Sequence, residues 1–207
     1  MFITFEGIDF CGKSTQVELL KKYLTSKKKI VELIREPGGT TISEMVRSIL
    51  LDKVHENMCN ETEIFLFSAS RAQLVREKIR PYLMKGYYVI SDRFHDSSTA
   101  YQGFGRGLSI ETIIKIHNLA IGETIPDITF FIDISVGEAE NRKRQKLHRE
   151  LDRIEVSERD FFEKVRNGYL YLSKDKRFRK LDGTQSVQEI HKQIIREIEL
   201  LEKRQKA

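Results

Sequence analysis

The sequence predicts an α/β fold, a doubly wound parallel sheet of five strands with helices on both faces. Two observations predict it. Short apolar runs alternate with longer helical patterns all the way to the C-terminus, and a glycine-bearing loop, GIDFCGKS from Gly7 to Ser14, stands between the first run and the first helical pattern. With 207 residues and no repeat, low-complexity tract or linker, the chain reads as one domain, 1–207. At this size folding buries roughly 70% of the unfolded chain's surface, so a core forms without metal or disulfide.

The first strand is the apolar run Phe2 to Glu6. The loop after it fits the phosphate-binding P-loop pattern: a glycine, four residues, then glycine, lysine and a hydroxyl residue. Thr15 to Leu24 then has helical spacing at Val17, Leu20 and Leu24. A loop held between strand and helix aims successive backbone N–H groups at phosphate oxygens, with the positive end of the helix dipole behind them. Lys13 reaches the outer phosphates, and the Ser14 hydroxyl ligates a magnesium ion. The second strand, Ile30 to Ile34, is stopped by Arg35, Glu36, Pro37, Gly38 and Gly39. Pro37 holds Glu36 extended, and the glycines admit close approach of backbone to a ligand. A plain turn explains the Pro-Gly-Gly but not the charged pair before it. From about Ile42 to Leu51 a helix carries Met45, Ile49 and Leu50 as a core face, with Arg47 on another side. A long helix from Glu61 to Met84, broken near Pro81, places Ile64, Phe67, Leu74 and Ile79 in the core. Phe67 and Arg71 share one face of it, where ring and guanidinium either sandwich a base or form core and rim.

Past the third strand, Tyr87 to Ser91, stand Asp92, Arg93 and Phe94. A carboxylate there can hold a magnesium-bound water, and the arginine beside it can grip an anionic oxygen. Ser97, Ser98, Tyr101 and Gln102 follow on a helix, and Gly103, Gly105 and Gly107 mark a turn. The fourth strand is Ile128 to Ile132, with Asp133 starting a helix. Asn141 to Arg153, NRKRQKLHRELDR, is dense in both signs of charge. It is either a solvated helix face or part of a lid, about 141–157, whose arginines arrive with bound nucleotide. An amphipathic helix from Arg159 to Leu172, a strand from Phe178 to Leu181 and a turn at Asp182 to Gln185 lead to a terminal helix. Its Ile190, Ile194, Ile198 and Leu201 form one apolar stripe. Ligands of such sheets bind beyond the carboxyl ends of the strands, which is where the charged pairs fall.

Lys and Arg number 36 against 31 Asp and Glu, a net charge of +5. That is too mild to imply nucleic acid and suits a protein handling small polyanions. Cys11 and Cys59 make no zinc spacing and no disulfide framework, as befits a reducing cytosol. No apolar run approaches membrane-spanning length, and a strand beginning at Phe2 leaves no room for a leader, so a cytoplasmic location is expected. Cys11 is either a filler or, near a helix N-terminus, a thiol of depressed pKa that bound ATP shields from alkylation.

P-loop proteins include switches, motors and kinases. The Asn-Lys-x-Asp motif of guanine-nucleotide switches is absent, and motor ATPases are normally larger. A small phosphotransferase remains, its acceptor site built from the later strand ends. The motifs FEGIDFCGKST, REPGGT, FSASR, DRF, SSTAYQG, PDITFFID and LDRIE stand in order, and together they resemble the bacterial thymidylate kinases from Phe2 to the last helix. The resemblance implies the P-loop nucleoside monophosphate kinase fold with a short lid, and transfer of the γ-phosphoryl of ATP to thymidine 5′-monophosphate (dTMP) with Mg2+. It further implies a homodimer with no nucleic-acid or membrane partner, supplying DNA precursors.

Position by position, the resemblance implies that Gly7, Ile8, Asp9, Phe10, Cys11, Gly12, Lys13, Ser14 and Thr15 bind ATP. Asp9 also meets the acceptor sugar's 3′-hydroxyl. Phe67 and Arg71 stack on and hydrogen-bond thymine, Ser98 and Gln102 stand at the base edge, and Tyr101 crowds the 2′ position. Arg47 and Arg93 hold the acceptor phosphate, with Glu36 and Asp92 near magnesium and its waters. The catalytic set is Lys13, Asp9, Arg93 and a lid arginine. Relatives of one kind carry an arginine at the Phe10 position, so here the lid must supply it. His148 occupies one position where relatives have arginine, leaving Arg149, ahead of Arg144 and Arg153. The rival enzyme, a deoxynucleoside kinase, would use Glu36 as a base toward a neutral hydroxyl. A non-catalytic nucleotide-binding protein would bind ATP without acceptor-dependent release of ADP.

Overall fold

The computed structural model describes residues 1–146 and 151–206. Its sheet is all-parallel with strand order β2-β3-β1-β4-β5, formed by β1 (Phe2–Glu6), β2 (Val31–Arg35), β3 (Tyr88–Asp92), β4 (Ile128–Asp133) and β5 (Phe178–Asp182). β1 lies at the centre, with Phe5 opposite Asp92 of β3 on one side and Phe130 of β4 on the other. Both faces of β1 and β4 are covered, so these strands are near-continuous apolar runs rather than alternating ones. All five predicted strands are present, with ends shifted by at most a residue.

Helix α1 (Lys13–Ser26) packs with α9 (Val187–Lys206), burying Leu20 and Leu24 with Ile190, Ile194 and Ile198. Elsewhere α2 (Thr41–Leu51) packs on α3 (Asn60–Leu74), which packs on α6 (Ile110–Ile121). Connections leave β1 toward β2 and β3 toward β4, in opposite directions, opening a crevice at their adjacent carboxyl ends.

Four sequence expectations need correction. Of the apolar face expected on α2 only Leu50 is buried, while Met45 and Ile49 are 65% and 43% exposed. Periodicity marks a face but does not say what covers it. The long helix is not broken at Pro81. A π-helical turn, Val75–Ile79, joins α3 to α4 (Arg80–Met84), and Pro81 falls in the first turn of α4, where a missing N–H is tolerated. Ser97 and Ser98 end the short helix α5 (His95–Ser98), but Tyr101 and Gln102 lie on a second π-helical segment, Thr99–Gly105. Asp133 ends β4 and accepts two bonds from Arg166; Ser135 caps α7 (Val136–Lys146) by accepting from the Glu138 amide. The last packed helix is α8 (Arg159–Leu172), which rests against the π-helical Thr99–Gly105. No helix among the described residues is long and apolar enough to cross a membrane.

Candidate active site

Gly12 takes φ 105°, a left-handed turn that suits glycine and lets Lys13 begin α1. The free amides and positive dipole end of this helix favour an anion at the loop. The Lys13 ammonium folds over the loop and donates to the carbonyls of Gly7 and Ile8 at 2.9 and 3.0 Å. Ser14 Oγ donates to Asp92 Oδ2 at 2.9 Å, so the first strand end meets the third. One hydroxyl and one carboxylate fit the small protein share that Mg2+ takes beside phosphate oxygens and water. Such an ion, bound there, would neutralise phosphate charge.

From the loop a cavity of about 500 Å³ runs across the crevice. It gathers Asp9, Phe10, Gly12, Lys13, Ser14, Thr15, Glu36, Arg47, Phe67, Arg71, Asp92, Arg93, Ser98, Tyr101 and Gln102, whereas Gly7, Ile8 and Cys11 do not line it. Asp152, Ile154 and Glu155 also line it, and sequence reasoning missed them. Asp152 Oδ1 accepts from the amides of Ile154 and Glu155, and Glu155 Oε2 accepts from that of Asp152. An acid three residues before another acid resembles a capping-box signature and was the available signal.

At the centre Arg93 holds an uncommon φ of 72°. Its Nη2 pairs with Asp9 at 2.6 Å and donates to Tyr101 Oη at 3.0 Å. Its Nη1 donates to the Gly7 carbonyl, Ser97 Oγ and Tyr169 Oη. Burial alone would raise the Asp9 carboxyl, but Arg93 and Lys13 outweigh it and leave it below its ordinary value. Behind Arg93 lies Glu6, also unanticipated. Its carboxylate accepts from Ser97 Oγ, Tyr169 Oη and the Phe94 amide at 2.6, 2.9 and 2.8 Å. Burial, aided by the Asp96 carboxylate, pushes Glu6 up to about 7.

At the far end Arg71, 1% exposed, pairs through Nε with Glu36 Oε2 at 2.6 Å and donates through Nη2 to Ser98 Oγ at 3.1 Å. Its guanidinium lies 5.7 Å from the Phe94 ring centroid. Glu36 Oε1 and Arg71 Nη1 are buried without hydrogen-bond partners. Buried polar groups are normally satisfied, so this pair points to a ligand that completes it. Burial raises Glu36 to about 7 against the opposing pull of Arg71. The Glu36 carboxylate is committed to Arg71 while that of Asp92 meets Ser14, so Glu36 belongs to the arginine side of the cavity. Arg47 Nη1 donates to the Pro37 carbonyl at 2.8 Å.

Arg149 and His148 lie outside the described residues. Arg144 bonds Asn141 at the surface. Arg153 is buried, ion-paired with Glu63 at 2.6 Å and bonded to the Leu50 carbonyl, so it anchors the chain after the charged run and does not line the cavity. Arg142, not singled out in the sequence, reaches the carbonyls of Cys11 and Gly183. Cys11 does not have a depressed pKa: it is 1% exposed, and burial pushes its thiol up despite Lys13 nearby.

The sequence pattern of the family described as thymidylate kinase matches residues 5–194. Thymidylate kinase of Kosmotoga olearia is 49% identical over 199 residues, 95% of this chain and 94% of that protein. That of Thermosipho melanesiensis is 50% identical over 202 residues, 97% of this chain and 98% of its own length. The crystal structure of thymidylate kinase from Ehrlichia chaffeensis superposes with a TM-score of 0.77 at 33% identity, covering 96% of this chain and 98% of that one. A phosphate loop whose cavity ends on a buried arginine and carboxylate, with sequence likeness along nearly the whole chain, places the protein: it belongs to the thymidylate kinase family.

Proposed function

We propose that this chain transfers the γ-phosphoryl group of ATP to dTMP, giving ADP and dTDP. The observation that carries this reading is one continuous cavity joining Lys13 and Ser14 of the phosphate loop to the Arg71–Glu36 pair, with Arg93 and Asp9 between. The acceptor is a phosphate monoester with a second pKa of about 6, already anionic near neutrality, so no strong general base is required. Catalysis reduces to aligning two phosphates that repel and neutralising charge on the group in flight. Lys13 and the loop amides hold the donor, Arg93 and Arg47 the acceptor phosphate, and Asp9 the sugar. Mg2+ at Ser14 and Asp92 supplies further charge neutralisation when bound. A deoxynucleoside kinase would leave two arginines in the cavity without a phosphate to hold.

Arg149, on a lid of about 141–157, supplies the remaining positive charge. Arg149→Ala is expected to lower kcat by roughly 10³ with little change in KM, and an unchanged kcat would remove it from the mechanism. The acceptor is tested by ADP release with thymidine, dTMP and other nucleoside monophosphates in turn. Turnover with dTMP alone supports the reading, and turnover with thymidine but not dTMP sinks it.

The protein works as a homodimer. α2 exposes Ile42, Met45 and Ile49 along one face; α3, packed on it, exposes Phe65, and α6, packed on α3, exposes Leu119. A layer of helices this apolar on its outer side suits a second copy. Two free thiols, Cys11 and Cys59, suit a cytoplasmic setting.

A further inference from the structure

Gln102 lines the cavity beside Ser98 and Arg71, on the π-helical segment. Its side-chain amide has two different ends, and which end faces the ligand decides which base edge it can read. Gln102 Nε2 donates to Glu63 Oε1 at 2.9 Å. Glu63, on the first turn of α3 and 1% exposed, is the hub of a buried cluster: Oε1 also accepts from Arg106 Nε at 3.3 Å, and Oε2 from Arg153 Nη2 at 2.6 Å. With two arginines against it the carboxyl stays ionised, and an ionised carboxylate can only accept. It therefore takes the NH2 end of Gln102 and leaves Oε1 for the cavity. Gln102 Oε1 has no hydrogen-bond partner among the described residues.

Resting on the dTMP reading, we propose that Glu63 is a positioning residue that selects the acceptor base by locking Gln102 as a hydrogen-bond acceptor. Donors line the same cavity. Arg71 Nη1 has no partner, and Ser98 Oγ, which accepts from Arg71 Nη2, keeps its own proton to give. An acceptor next to donors complements an N–H flanked by a carbonyl, the edge of thymine and uracil. Cytosine presents a bare ring nitrogen and an amino group there, setting acceptor against acceptor and donor against donor. Thymine and uracil share this edge, so the device separates both from cytosine and not from each other. The same carboxylate holds Arg153, so the anchor of the segment after α7 and the base reader share one charge.

The test is the ratio of dTMP to dCMP affinity in Glu63→Gln, measured by calorimetry beside steady-state kinetics. A glutamine at 63 accepts Gln102 in either orientation. The ratio is expected to fall by about 10-fold or more, the worth of one hydrogen bond lost and one mismatch relieved, with the effect in KM rather than kcat. Glu63→Gln combined with Gln102→Glu again gives the cavity an obligate acceptor, and much of the ratio should return. A wild-type ratio in Glu63→Gln, or equal weakening of both nucleotides, overturns the proposal. Should that variant not fold, the double variant decides: a retained dTMP preference supports the lock and a lost one overturns it. Failure of the wild-type protein to bind dTMP would instead overturn the acceptor assignment itself.

Discussion

Glu36 illustrates how one buried residue ties stability to pH. Its carboxyl is raised from 4.5 to about 7 by burial, so between those values the folded protein holds a proton that the unfolded chain has released. Its contribution to stability is therefore complete below 4.5 and is lost as pH rises through 7. Replacing it by Glu36→Gln removes the titration. Chemical denaturation from pH 4.5 to 8 should show the wild type losing stability relative to the variant up to about 7 and then running parallel, and a constant difference would refute the assignment. The hold on Arg71 runs the other way, because the ionised carboxylate binds a guanidinium more strongly than the neutral acid does. The two cysteines separate by environment. Cys59 is exposed, with its thiol lowered by hydrogen bonding with Thr62, while Cys11 is sealed behind the loop. One equivalent of iodoacetamide should label Cys59 and spare Cys11 until the chain unfolds, with or without ATP, as peptide mass spectrometry would show. In sequence Cys11 was legible only as a neighbour of a helix start. That the side chain turns inward, against Gly7, depends on loop geometry that no spacing encodes.

At the scale of elements, the strands and the loop were legible because each has its own local signal, an apolar run or a fixed glycine-lysine spacing. The π-helical segments were not, since a widened turn carries no signature in composition. Nor was Glu6, a carboxylate ending an apolar strand, whose three donors arrive from residues 88 to 163 positions away. The segment Thr99–Gly105 is held by α8 at very short range. A Cβ on Gly168 would lie 2.9 Å from the Phe104 ring and 3.0 Å from the Ala100 Cα, and backbone cannot yield there. Gly168→Ala should cost about 1–3 kcal/mol and lower Tm by roughly 2–10 °C. Because this segment carries Tyr101 and Gln102, KM for dTMP should rise as well. A variant with unchanged Tm and KM would show that the two elements are loosely coupled.

For the molecule as a whole, the exposed row Ile42, Met45 and Ile49 is the feature most at odds with a solitary chain. Met45→Glu would set an unpaired charge in the proposed contact and should weaken self-association by about 100-fold, read as monomer by analytical ultracentrifugation at micromolar concentration. A wild type already monomeric there would place the contact elsewhere or nowhere. The central position of β1 has a different consequence. The phosphate loop directly follows it, yet Asp92, Arg93 and Tyr169, which bind and brace that loop, are donated far downstream. A nascent chain that has emerged only as far as α3 therefore carries the nucleotide motif without the means to use it. Nucleotide retention is therefore expected late in maturation, after the residues that brace the loop have joined β1.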